Sequence, residues 1–584
     1  AARRRMARRG SRARLVAFAC LAGALPCRAK QRHFLSNEEQ SDIVTYGTHP
    51  EDGNAEFGLL IDAGSTGSRL HVYEWPRRVF DTIPPPISHP LTSERWTKRL
   101  RPGISAFADD PQAAAESIVP LIEHAKRLLK HYPQAWHRFP IWVKATAGMR
   151  TLMHTPRRAI IEAIRDLLTS DRNPFHFVEV DAARVISGEE EAGYAWTGIN
   201  FALGHLLEDG TGSGTARPTR GVGIVEMGGA SSQVSFINPG HDIVENLFKV
   251  QVGGLKHWNI YARSFLHYGA ESSRQRMWNE LAHRQGCFAE AAGKDKPEAC
   301  VVKDACLPPG TKRFPIPPTV TNEVGVAPPD RYGPIVPALV EPLGEADVRA
   351  AGGASRFDLC VAQVAGENLS LGLQGRLDIS QGYIEGPTNR KFNEWCDWAH
   401  HGQCAFADTY LPLLPTYDSS FGDFHLLGSS LVDTFALLGV PKHATLRNLS
   451  DAAQGKCGLD IDSLTGVLVS AESSEGPGAG RRLGDGGDDD DDDDAPSVDP
   501  EDAQEVCFKA ALALAMLHNG FSINMDRELH ATDVIKTSRG HKLKAGWTLG
   551  AVLFEINSLP WTYQPRPENA TNATNATNAT NATN

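Results

Sequence analysis

Two stretches of this chain, 164 residues apart, share one grammar. GlyLeuLeuIleAspAlaGlySerThrGlySerArgLeuHisVal at 58–72 lays over ValGlyIleValGluMetGlyGlyAlaSerSerGlnValSerPhe at 222–236, which sets Asp62 over Glu226 and Gly64 over Gly228. Each unit reads as a buried strand, an acid, a run of small residues and a second strand. A chain that repeats this unit is expected to fold as two lobes, each supplying one hairpin. The length of 584 residues also exceeds what one ordinary core accommodates.

The small residues carry a chemical expectation. In AspAlaGlySerThrGlySerArg (62–69), Gly64 and Gly67 permit a sharp turn and close approach of the backbone, while Ser65, Thr66 and Ser68 add hydroxyl groups. A loop of this kind is either a tight hairpin turn or a cradle that points several N–H groups at one phosphate. The matching GluMetGlyGlyAlaSerSerGln (226–233) favours the cradle. Two such loops would grip two phosphates of a polyphosphate from opposite sides. Asp62 and Glu226 would then face a divalent metal, directly or through water, and their hard oxygens suit Ca²⁺ or Mg²⁺.

Charge narrows the class of partner. The net charge is −11, and residues 1–32 hold ten basic residues and no acid, which leaves −21 for the rest. An acidic body argues against nucleic-acid binding. The basic start precedes an apolar run at Leu15–Pro26, the layout of a signal peptide or a signal anchor, so a membrane enters only if that segment is an uncleaved anchor. Eight of the ten cysteines lie beyond residue 280 and none forms a CxxC pair, which suits disulfides in a secretory compartment rather than zinc. Sequons at Asn368, Asn448 and along the Asn-Ala-Thr repeat that begins at Asn569 fit the same route, secreted or luminal (Golgi or endomembrane). No sequence feature sets an oligomeric state.

The coarse pattern predicts an α/β fold with a mainly parallel sheet. Strands are expected at Phe57–Ile61, His71–Trp75 and Ile141–Lys144, a helix around Gln112–His131, a helix over Val506–Leu517 and a final strand over Trp547–Ile556. The Ser-, Gly- and Asp-rich segment 471–503, with its seven-Asp run at Asp488–Asp494, reads as a solvated insertion, and 565–584 as a disordered tail.

Two further motifs follow strands. LysAlaThrAlaGlyMetArg (144–150) offers Thr146 among small residues. SerGlyGluGluGluAlaGlyTyrAlaTrp (187–196) reads as an acidic helix start or as the source of a general base. With the two loops, and with GlyTrpThrLeuGly at 546–550, these motifs resemble, in order, the conserved regions of the apyrase and nucleoside triphosphate diphosphohydrolase family over about residues 56–560. Arg101-Pro-Gly-Ile-Ser and the segment 259–269 are also similar to family segments.

The resemblance implies a two-lobed, actin-like (ribonuclease H-like) fold with a cleft between the lobes. It divides the chain into a first lobe of 56–200 plus about 546–560 and a second lobe of 201–545. It implies hydrolysis of terminal phosphates of nucleoside di- or triphosphates with Ca²⁺ or Mg²⁺. Glu191 resembles the general base. Ser231 and Gln233 resemble residues that position the water, and Thr146 the threonine near water and metal. Ser65, Thr66, Gly67, Ser68, Gly228, Gly229, Ala230 and Ser231 resemble the phosphate loops, and Asp62 and Glu226 the metal-side acids. The chain departs from the family in having Glu226 where Asp is usual and Ala192 where Gly follows the base. It also lacks tyrosine at 426–435, which leaves Phe521 as the candidate for stacking on a base. A catalytically weak nucleotide-binding module is the competing reading. Among the cysteines, Cys457–Cys507, Cys396–Cys404 and Cys360 with one of Cys287, Cys300 or Cys306 are candidate pairs.

Overall fold

The computed structural model describes residues 55–564 except for internal stretches, of which the longest are 207–220, 285–299, 317–337, 366–403, 415–422 and 475–499. The N-terminal segment, Asn368, Cys287, Cys396, the seven-Asp run and the Asn-Ala-Thr repeat lie outside the described residues.

The repeat seen in the sequence is a repeat in space. In the first lobe, β1 (Ala55–Ala63), β2 (Ser68–Pro76), β3 (Thr97–Leu100), β4 (Ile141–Ala145) and β5 (Ala183–Val185) form a sheet of order β3-β2-β1-β4-β5. In the second lobe, β6 (Gly223–Met227), β7 (Ser231–Phe236), β8 (Leu247–Val252), β9 (Lys256–Leu266), β10 (Phe424–Leu427), β11 (His443–Thr445) and β12 (Glu528–Ala531) form a sheet of order β11-β12-β10-β6-β7-β9-β8. The inner five, β9-β7-β6-β10-β12, repeat the first sheet strand for strand and direction for direction. Both hairpins close on the same turn bond, Gly64 N–H to Gly67 O and Gly228 N–H to Ser231 O, each 3.0 Å. The solution is the two-lobed α/β architecture expected.

Three local expectations need correction. The sheets are mixed rather than mainly parallel, because a connection as short as 64–67 can only return the chain antiparallel. The helix around Gln112–His131 is two helices, α1 (Pro111–Ser117) and α2 (Val119–Leu128), broken at Ile118. Pro120 has no N–H to give and would collide with the carbonyl of Glu116 in a continuous helix. Trp547–Ile556 is helical, not extended, within a helix running to Ser558. Its near-continuous apolar run is buried all round, and periodicity cannot separate such a helix from a buried strand.

That last helix matters most for the site. α3 (Gly188–Ala202), α4 (Ala270–Arg284) and α5 (Trp547–Ser558) are the helices nearest the cleft motifs. α3 and α5 cross in a third core shared by both sheets. Leu60, Tyr73 and Trp142 enter it from the first sheet, Ile224, Val250 and Trp258 from the second, and Trp196, Ile199, Leu549 and Val552 from the helices. The crossing is close because glycines make it so. A Cβ on Gly550 would stand 1.9 Å from the Tyr194 carbonyl oxygen, and one on Gly198 would stand 2.2 Å from that of Gly546. Tyr73 Oη donates to Thr548 Oγ1 at 2.9 Å, and Lys144 reaches Glu555 at 2.7 Å, which fastens the helix to the first sheet.

Among the described residues, the disulfides Cys306–Cys360 and Cys457–Cys507 brace the second lobe. The second is a pair expected from the sequence, and the first selects Cys306 from the three partners open to Cys360. Among the described residues, no helix is long and apolar enough to cross a membrane.

The helix crossing makes a test. Gly550→Ala gains about 1 kcal/mol of helix propensity, but the backbone clash with Tyr194 costs more, about 1–3 kcal/mol for an overpacked core. The melting temperature of Gly550→Ala should therefore fall by several degrees. Gly455→Ala, in the exposed helix Leu446–Lys456 with nothing within 4 Å, should melt at or above wild type. Equal melting of both variants would contradict the crossing.

Candidate active site

The second loop is oriented from behind. His267 N–H donates to Ala230 O at 2.7 Å, Ala270 N–H to Gly228 O at 2.9 Å and Ser272 N–H to Gly229 O at 3.0 Å. All three loop carbonyls are thus engaged by the turn that opens α4. In a trans peptide the next residue's N–H points opposite to the carbonyl. The amides of Gly229, Ala230 and Ser231 therefore face away from α4, toward the first lobe. Gly229 shows how near that lobe is: a Cβ placed there would stand 2.7 Å from both Ser65 Oγ and Thr66 Cγ2.

The first loop meets it from the other side. Ser65 and Thr66 are half-buried, and Thr66 Oγ1 accepts from Arg99 Nη2 at 2.7 Å. Arg69 and Arg101 stand close enough to Arg99 that they and burial lower its pKa to about 10. The amides of Ser65, Thr66, Gly229 and Ala230 donate to no acceptor among the described residues. The two loops therefore meet closely, with amides that have no acceptor among the described residues and guanidinium charge nearby. Ser68 is buried at the start of β2, its hydroxyl without a hydrogen-bond partner among the described residues.

Behind the loops sit three carboxylates. Asp62 and Glu226 stand one residue before the ends of β1 and β6, where strand register puts them opposite Arg69 and Gln233. Asp62 Oδ1 and Glu226 Oε2 are each buried without a hydrogen-bond partner. Burial raises the pKa of Asp62 to about 7; Arg69 and Arg99 oppose the rise, and Glu191 adds to it. Burial, then Glu191 and Asp62, push Glu226 well above the usual carboxylate range, with Arg150 opposing. Buried carboxylate oxygens without partners are costly unless a cation answers them. The hard oxygen set fits a divalent cation.

Glu191 lies in the first turn of α3, where the Ser187 capping box and the helix dipole favour acids. It is 6% exposed. Its Oε2 accepts from Arg150 Nη2 at 2.8 Å and Gln233 Nε2 at 3.1 Å. Gln233 Nε2 also reaches Ser231 Oγ at 2.6 Å and Ser264 Oγ at 3.2 Å, and Arg150 Nη2 reaches Ser231 Oγ at 3.3 Å. One carboxylate oxygen is thereby fixed and the other is left for a water. The helix start is tied to the same strand, since Ser235 Oγ donates to the carbonyl of Ala192 at 2.9 Å. Ala192 is fully buried there, so the departure from glycine fits without strain. Thr146 is buried directly after β4, its N–H bonded to Ala63 O at the end of β1.

Phe521 does not join the site. It is fully buried in the core of the second lobe, 5.8 Å from the Phe265 ring, and offers no face to a base. The apolar ring follows the helix Pro500–Leu514 into that core, where burial outweighs any stacking role. Two residues inside quoted motifs went unassigned in the sequence. Arg150, the last residue of LysAlaThrAlaGlyMetArg, joins Glu191 to Ser231. Trp547, in GlyTrpThrLeuGly, hydrogen-bonds Asp62 through its side chain. Their positions in the motifs were the available signal, but neither residue type announces its partner.

Two glycine-turn loops, a pair of buried acids and a carboxylate hydrogen-bonded to Arg150 and Gln233 thus meet at one place. The chain matches the model of the GDA1/CD39 (nucleoside phosphatase) family over residues 48–337 and 490–571, and it belongs to that family. It is 28% identical over 502 residues to the probable apyrase 6 of Arabidopsis thaliana, covering 86% of this chain and 72% of that one. It is 31% identical over 283 residues to the Golgi apyrase of Saccharomyces cerevisiae, covering 45% of this chain and 44% of that one. The chain thus spans less than half of the yeast relative. The crystal structure of nucleoside triphosphate hydrolases from Neospora caninum shares the fold, with a TM-score of 0.50 at 16% identity over 86% of this chain and 93% of that one.

Arg150 gives the test of this geometry. Arg150→Lys keeps the charge but cannot span Glu191 and Ser231 together. Phosphate release should fall at least tenfold while the melting temperature stays within a few degrees of wild type. Unchanged turnover would remove Arg150 from the site.

Proposed function

We propose that this chain hydrolyses the terminal phosphates of nucleoside tri- and diphosphates, using Ca²⁺ or Mg²⁺. The observation that carries the reading is the meeting of Ser65 and Thr66 with Gly229, two residues before the Ser231 that Gln233 joins to Glu191. The amides of the first and second loops hold successive phosphates. Ser231 and Gln233 orient a water, and Glu191 accepts its proton as the oxygen attacks the terminal phosphorus. The leaving phosphate gathers negative charge, which the loop amides and the arginines beside Thr66 stabilise. Asp62 and Glu226 are the metal-side acids, with Thr146 beside them; when bound, the cation neutralises phosphate charge. No covalent enzyme intermediate is required.

The same reading places the protein in the secretory pathway. The basic and apolar N-terminal layout and the two disulfides support it, as does the likeness to a yeast protein named Golgi apyrase.

The deciding experiment measures phosphate release from ATP, ADP, GTP, GDP, UDP and tripolyphosphate with Ca²⁺, Mg²⁺ or chelator. Release should require metal and should fall about 10²–10⁴-fold in Glu191→Gln. Tight nucleotide binding without release would support the binding-module reading instead, and Glu226→Asp would then be the variant expected to restore turnover.

A further inference from the structure

The second sheet carries an unexplained group of histidines at its outer edge, two strands away from Glu226. His443 on β11 stands opposite His530 on β12 in antiparallel register, and Glu528 precedes His530 by two residues. Side chains at such positions share one face of a sheet. Ligand atoms of His443, Glu528 and His530 all lie within 4.8 Å of one another. His443 Nδ1 is 3.7 Å from Glu528 Oε1, and the His443 and His530 rings meet edge to face with centroids 4.4 Å apart. His443 and Glu528 are exposed, so the group is open to solvent.

A second observation concerns how His530 is held. Asp423 Oδ2 lies 3.3 Å from His530 Nε2, and Asp423 Oδ1 accepts from Arg527 Nη2 at 2.9 Å. His425 on β10, the register partner of His530 on the neighbouring strand, stacks on its ring with centroids 4.6 Å apart at 9°. A carboxylate behind one imidazole nitrogen is how metal-binding histidines are commonly oriented. With the proton on Nε2 toward Asp423, the lone pair of the ring is on Nδ1.

We propose that His443, His530 and Glu528 form a binding site for a borderline transition-metal ion, with Zn²⁺ its best fit, separate from the cleft carboxylates. Two imidazoles and one carboxylate are a Zn²⁺ ligand set and leave a fourth position for water. They match poorly the all-oxygen preference of Ca²⁺ or Mg²⁺. The consequence is structural: β11 has only three residues and lies at the sheet edge, and a bound ion would pin it to β12.

The test uses the full chain secreted from a eukaryotic host and stripped of metal. Zn²⁺ alone is titrated by calorimetry in saturating Mg²⁺, which covers the cleft acids. One Zn²⁺ should bind per chain. His443→Ala and Glu528→Gln should each weaken binding at least tenfold, with circular dichroism unchanged. Both positions are exposed and Glu528→Gln keeps the side-chain shape, so one folded variant is enough to decide. Co²⁺ in place of Zn²⁺ should give a visible absorption band that His443→Ala loses. Equal Zn²⁺ affinity in wild type and a folded variant, or no uptake by wild type, would overturn the proposal.

Discussion

Everything around the cleft answers one electrostatic problem, the placing of three carboxylates together in a confined space. Asp62, Glu191 and Glu226 repel one another, and one oxygen each of Asp62 and Glu226 is shut from water without a partner. Such a cluster persists only if the fold imposes it and a cation relieves it. Arg150 relieves part of it at Glu191, and Arg69 and Arg99 relieve part at Asp62. The remainder is the binding energy that a divalent ion with a polyphosphate would collect. Under the proposed function, the site is an unfinished ion pair, with the loop amides taking the anion and the acids the cation.

Duplication explains how one chain imposes that arrangement. Each five-stranded unit carries an acid one residue before the end of its first strand and turns on one Gly N–H bond, so the two acids and the two loops arise from the same local solution used twice. The lobes then diverge in what surrounds the loops. Arg99 contacts the first loop, whereas the opening of α4 engages all three carbonyls of the second. The second lobe also carries the extra strands β8 and β11, the disulfides and the edge histidines. α3 and α5 cross between the sheets on Gly198 and Gly550, so the helix that holds Glu191 is packed against both.

Much of the site was legible because its parts are local. AspAlaGlySerThrGly and GluMetGlyGlyAlaSer declare tight turns after strands, and Glu191 stands in the first turn of a helix whose acidic start is visible in the sequence. Gln233 and Ser231 share one strand and one quoted motif, and they do meet in space. What escaped were contacts set by distant chain. Arg150 gains its meaning from Glu191, 41 residues on, and Trp547 from Asp62 in a different lobe segment. Phe521 failed as a stacking candidate for the same reason, since only packing shows which side of a ring is covered.

The sequence alone determined the doubling of the hairpin, the acid near each strand end, the small-residue loops and the cysteines that form Cys457–Cys507. These are properties of short segments, fixed by turn sterics and strand burial. Only the tertiary structure decided that Trp547–Ser558 is a helix crossing α3, that Ser68 is buried at the start of β2, that Cys306 pairs with Cys360, and that His443 faces His530. The physical reason is common to all four. Each depends on which distant surface covers a residue, and a uniformly apolar run, a lone serine, a cysteine with three partners or a single histidine carries no local record of that neighbour.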